Sequence, residues 1–124
     1  MELLLYLHKK LDLDILSKDK LAKLKRKNRG NKKLINAVDK LISDLESADW
    51  TNKTDIKQAR PDADCIHNDG FYFFDINIHR TMILIVFEKA EAAIIWTGSH
   101  DEYDRIFKGN KNTIEKWLRN QQLI

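Results

Sequence analysis

From Trp96 to Ile106 the chain reads Trp-Thr-Gly-Ser-His-Asp-Glu-Tyr-Asp-Arg-Ile, which gathers an imidazole, a phenol, three carboxylates and a guanidinium behind an apolar stretch. Imidazole and phenol can exchange protons and a guanidinium can hold an anion, an inventory suited to phosphoryl chemistry on RNA. Gly98 is expected to let the backbone turn sharply where the strand stops. Dense charge behind a strand is more often a solvated loop, so the segment gains meaning only from the elements that position it.

The 124 residues, 43% of them apolar, suffice for one domain over 1–124 with a single core. Net charge is +3, yet residues 18–33 hold nine basic residues against Asp19 alone, leaving the remainder net negative. Such polarity favours a polyanion, although a lysine-rich helix is often only a soluble face. Cys65 is the one cysteine, which excludes an internal disulfide and a cysteine metal cage and suits a reducing compartment. His8, His67 and His79 lack the spacing or cysteine company of a zinc site, so no metal and no cofactor are expected. The apolar run Leu3–Leu7 is too short for a membrane span or signal peptide, and a cytoplasmic protein is expected.

Residues 2–10 read as a short helix or strand that must dock on something, and Leu11–Ile15 alternates as a half-buried strand. Ser17 is the expected cap of a helix ending near Gly30, with Leu16 and Leu21 as a hydrophobic staple. Leu34, Ile35, Val38, Leu41, Ile42 and Leu45 form one stripe of a second helix, completing a basic helical hairpin. Thr54–Arg60 can make one or two helical turns before Pro61. Asn68-Asp69-Gly70 marks a hairpin between Cys65–His67 and Phe71–Ile76; Met82–Phe87 and Ala92–Thr97 follow as further strands of an antiparallel meander. Asn112 and Glu115 suggest a cap for a helix over 112–124, with Trp117 packed as core.

These landmarks stand in a recognisable order: a hairpin ending in Ala48-Asp49-Trp50, then Asp55-Ile56-Lys57, Pro61-Asp62-Ala63-Asp64, Phe74-Asp75-Ile76, and Gly98-Ser99-His100-Asp101-Glu102-Tyr103-Asp104. In this the chain resembles the HigB-type toxins of the RelE superfamily, from about Asp14 to Ile106. The last run is similar to the family's closing Gly-Thr-His-x-Glu-Tyr-Asp. The resemblance implies an α+β, RelE-like fold: a helical hairpin on a mostly antiparallel sheet, here with an N-terminal extension over 1–10 and an extra C-terminal helix. It further implies a type II toxin that cuts messenger RNA on the ribosome as a metal-independent endoribonuclease. The implied partner is a HigA-like helix-turn-helix antitoxin, with operator DNA reached only through it.

Cleavage of that kind uses the substrate's 2′-hydroxyl as nucleophile, so the protein must align the backbone, move two protons and stabilise a phosphorane. His100 is the first candidate for proton transfer, since an unperturbed imidazole titrates at about 6.5; otherwise it merely orders its loop. Tyr103 would orient the 2′-hydroxyl or stack on a base. Asp104 would fix the tautomer of His100 or cap the following segment. Lys57, and Arg80 in the turn between the longest strands, would bring positive charge to the phosphate. Lys23, Lys25, Arg26, Lys27, Arg29, Lys32 and Lys33 would grip RNA, held against the sheet's open side. Cys65 with His100 as a thiol-protease pair lacks an oxyanion element.

Met82 and Ile95 are departures, because related toxins tend to carry basic residues there. They sustain an alternative: a catalytically weak or inactive module that binds RNA or the ribosome and pairs with an antitoxin. A purely structural interaction protein is a third reading.

Overall fold

Period-two and period-3.6 apolar patterns divide the chain into strands and helices that cover both faces of one sheet. The fold is that of a computed structural model, which describes residues 13–124. The element expected over 2–10, His8, and the first two residues of the expected Leu11–Ile15 strand lie outside the described residues. In chain order come β1 (Asp14–Leu16), α1 (Asp19–Lys27), α2 (Lys32–Glu46), α3 (Lys53–Ala59), β2 (Asp64–His67), β3 (Phe71–Ile76), β4 (His79–Val86), β5 (Glu91–Ser99), α4 (His100–Phe107) and α5 (Lys111–Asn120). The strands lie in the order β1-β5-β4-β3-β2. β1 runs parallel to β5, and the other pairings are antiparallel, as a meander with short connections requires. The result is the expected α+β, RelE-like arrangement.

The first face is covered by the hairpin α1–α2. Leu34, Val38, Leu41 and Leu45, one stripe of α2, pack with Leu21 of α1 and Ile56 of α3 against Phe74, Ile83, Ile85 and Ile94 of the sheet. Asn31 caps α2 by accepting from the Leu34 amide. The expected staple at α1 does not form: Ser17 adopts a left-handed turn (φ 60), Lys18 holds the cap position without a side-chain bond, and Leu16 remains exposed.

The second face is covered too, and here the sequence expectation of an open side is overturned. Phe71, Phe73 and Met82 of the sheet pack against Tyr103 and Phe107 of α4 and Ile114 and Leu118 of α5. Phe107 lies at the centre, with ring centroids 5.2 Å from Phe73, 5.0 Å from Trp96 and 5.2 Å from Trp117, all edge-to-face. α5 is capped two residues before its sequence signal, at Asn110 rather than Asn112; Asn110 accepts from the Asn112 and Thr113 amides, and the helix ends at Asn120 rather than at 124. Trp117 packs against this core, as expected.

Candidate functional site at the head of the fourth helix

The stretch Trp96–Ile106 is the end of β5 running directly into α4, not a loop. Ser99 caps α4 in a reciprocal box: its Oγ accepts from the Glu102 amide at 3.1 Å, while Glu102 Oε1 accepts from the Ser99 amide at 3.0 Å. Those bonds stabilise the Glu102 carboxylate and hold its pKa below the usual range, with Arg105 and His79 adding to the effect against partial burial. Gly98 remains in the strand, and its role differs from the expected sharp turn. A Cβ there would stand 2.6 Å from the Trp96 indole, which is wedged against Phe73 and Phe107.

Trp96 reaches that position through a bulge. Met82 pairs with Trp96 but Ile83 pairs with Ile94, so Ile95 is an extra residue on β5. Its free carbonyl accepts from Lys20 Nζ at 3.0 Å, which ties α1 to the sheet. Met82 is fully buried and Ile95 packs on the second core, so both positions belong to the apolar layer beneath α4 and α5.

His100 is exposed at the first position of α4, where its amide donates to the Ile78 carbonyl at 3.0 Å. Its ring lies 6.1 Å from that of Tyr103. Tyr103 is buried in the second core, 4.9 Å from Phe73. Arg80 belongs to β4, not to a turn; it pairs across the sheet with Asp75 on one side and Gly98 on the other. Its Nε donates to Asp75 Oδ1 at 2.9 Å, and its guanidinium carbon lies 4.5 Å from the Tyr103 ring centroid. Among the described residues, no hydrogen bond occupies the two terminal nitrogens of Arg80. The fold therefore brings His100, Tyr103 and Arg80 together.

Other expected partners stand elsewhere. Lys57 donates to the carbonyls of Pro61 and Ala63, at 2.6 and 3.0 Å, in the region of β2. That edge is three strands from β5, on the order of 14 Å, so Lys57 stands apart from His100 and Arg80. The same separation removes Cys65 as a partner of His100; its thiol contacts the His67 carbonyl. Asp104 is exposed within α4, and no hydrogen bond links it to His100 among the described residues; the helix that follows, α5, is capped by Asn110 and not by Asp104.

The basic segment also divides. Lys23 and Lys27 line a groove of about 530 Å³ between α1, the end of β5 and the head of α4. Lys25 instead pairs with Asp39 of α2 at 2.5 Å. Arg26, Arg29, Lys32 and Lys33 are exposed outside the groove lining.

His79 is the first residue of β4 and lines this groove. Its Nδ1 is buried without a hydrogen-bond partner among the described residues. Burial lowers the pKa of the ring, the neighbouring His100 adds to that, and Glu102 opposes it. The available signal was the period of two: carried back from Met82, it puts Arg80 on the second face and His79 on the first.

Among the described residues no helix is long and apolar enough to cross a membrane. No curated protein matches the chain. The model of the HigB toxin family, described as the RelE-like toxic component of a toxin-antitoxin system, matches residues 35–106, from the stripe of α2 to the head of the candidate site. That match spans more than half of the 124 residues, and His79, Arg80, His100 and Tyr103 fall within its range. An antitoxin partner goes with such a toxin, and the chain belongs to the HigB toxin family of RelE-like toxic components.

Proposed function

We propose that the protein is an RNA-directed toxin that cleaves messenger RNA on the ribosome by metal-independent transfer of the phosphoryl group to the adjacent 2′-hydroxyl. The observation that carries this reading is the grouping of exposed His100 with Arg80 at the rim of the sheet. His100 exchanges protons with the 2′-hydroxyl or the leaving 5′-oxygen. Arg80 offers its two terminal nitrogens to the phosphorane, while Asp75 and the Tyr103 ring hold its plane. Tyr103 thus acts as a positioning residue, and its buried ring suits that role better than base stacking. Lys57 and Asp104 take no part. The antitoxin is of the HigA-like helix-turn-helix kind, and the complex works in the cytoplasm.

A second reading, a binder of RNA or ribosomes that does not cut, is favoured by the burial of Met82 and the apolar packing of Ile95 under α4 and α5. One experiment separates the two. The chain is induced in a bacterial host and messenger RNA 5′ ends are mapped. Cleavage gives growth arrest with new ends inside translated codons, lost in His100→Ala and reduced at least tenfold in Arg80→Ala. Arrest with intact transcripts selects the binder, and normal growth refutes both.

A further inference from the structure

The groove beside His79 has three features in one place. One wall is a cationic stripe, since Lys20, Lys23 and Lys27 fall at i, i+3 and i+7 on α1. Lys20 is committed to the Ile95 carbonyl, whereas no acceptor holds Lys23 or Lys27 among the described residues. These two are separated by one turn, roughly 6 Å along the axis, a spacing comparable to that of neighbouring phosphates on a strand. The far end presents the His79 imidazole and the Glu102 carboxylate, and the Thr97 side of β5 forms the floor. The volume of about 530 Å³ lies within the range of small-ligand sites.

We propose that this groove is a binding cleft for single-stranded RNA, with Lys23 and Lys27 on successive phosphates and Glu102 accepting from a ribose 2′-hydroxyl. The occupant is a nucleic acid rather than an acidic peptide, because Glu102 repels a chain of carboxylates but is an acceptor for a hydroxyl or base amino group. RNA is favoured over DNA because only RNA offers the 2′-hydroxyl. The cleft opens at the same helix head as His100, so a strand lying along α1 reaches the rim of the sheet without entering the sealed second face. α1, which carries the cationic wall, lies before the segment matched by the family model, residues 35–106.

The inference rests on the RNA-directed reading, and its test uses the full chain with a dye-labelled ten-nucleotide RNA and the DNA of equivalent sequence, followed by fluorescence anisotropy across salt concentrations. Lys23→Glu with Lys27→Glu weakens RNA binding at least tenfold and lowers the slope of log affinity against log salt by about 1.4, at about 0.7 per phosphate contact. Lys89→Glu with Lys116→Glu, an equal charge change at exposed sites outside the groove, shifts affinity less than twofold. Glu102→Gln, which can keep the capping box, removes the preference for RNA over DNA. Equal losses from the two charge-reversed pairs overturn the cleft, as does displacement of RNA by a polyglutamate peptide at matched charge. The two proposals fail separately. Intact cellular transcripts with groove-dependent RNA binding remove cleavage alone, whereas His100-dependent cleavage untouched by Lys23→Glu with Lys27→Glu removes the cleft alone.

Discussion

The two faces of the sheet are both closed, but by different means. The first is covered by a helical hairpin whose aliphatic stripe repeats over α2, and its core is mostly leucine, isoleucine and valine. The second is covered by two shorter helices that meet the sheet through interlocked aromatic rings around Phe107. A face filled in this way has no room for a polymer substrate. The polar groups are accordingly confined to the rim, where the ends of β4 and β5 meet α4 and bring His79, Arg80 and His100 together. The paired arginines make the same point. Arg60 spends its guanidinium on Asp44, Asp62 and the Asp75 carbonyl, joining α2 to β3, whereas Arg80 uses one nitrogen on Asp75 and presents the others.

The largest effect that tests this contrast is truncation at each centre. Phe107→Ala is expected to lower unfolding free energy by about 3–5 kcal/mol and Leu41→Ala by about 2–5 kcal/mol, measured by urea denaturation. A loss below about 1 kcal/mol for Phe107→Ala means that α4 and α5 are a detachable cover rather than a second core. An intermediate effect is expected where the second face meets the site. Gly98→Ala drives a methyl group into Trp96 and costs about 1–3 kcal/mol, while Gly30→Ala, with nothing within 4 Å of the added carbon, stays within about 0.5 kcal/mol. Equal effects of the two substitutions contradict the packing described for Trp96.

The smallest effect concerns pH. The folded state binds a proton at His79 less readily than the unfolded chain does, because burial disfavours the charged ring. The stability contributed by that neutral ring is therefore complete above the unfolded value of about 6.5 and is lost as pH falls from there toward the lowered folded value. His79→Gln should flatten this part of the stability profile in urea melts run across that window. An unchanged slope places His79 in water.

Patterns that depend on local repetition were legible in the residues. The α2 stripe, the Asn68-Asp69-Gly70 hairpin and the antiparallel meander of β2 to β5 are each dictated within a few turns of chain, whereas the parallel pairing of β1 with β5 is not. Caps were read less well at Ser17 and Asn112, because a capping side chain competes with turn conformations that neighbouring elements decide. Of the site, His100 was legible from its motif, and Arg80 was found but assigned to a turn, since the start of β4 carries polar residues that mask its alternation.

The sequence by itself determined the helical hairpin, the meander and the polarised charge of residues 18–33, because these follow from periodicity and composition. Tertiary structure alone decided which charges meet. The Ile95 bulge, invisible in the residues, sends Trp96 to the second face and frees a carbonyl for Lys20. The packing of α4 and α5 closes the face expected to be open, and strand order separates Lys57 from His100. The physical reason is that burial and pairing register are properties of the whole sheet, set by contacts between residues far apart in the chain.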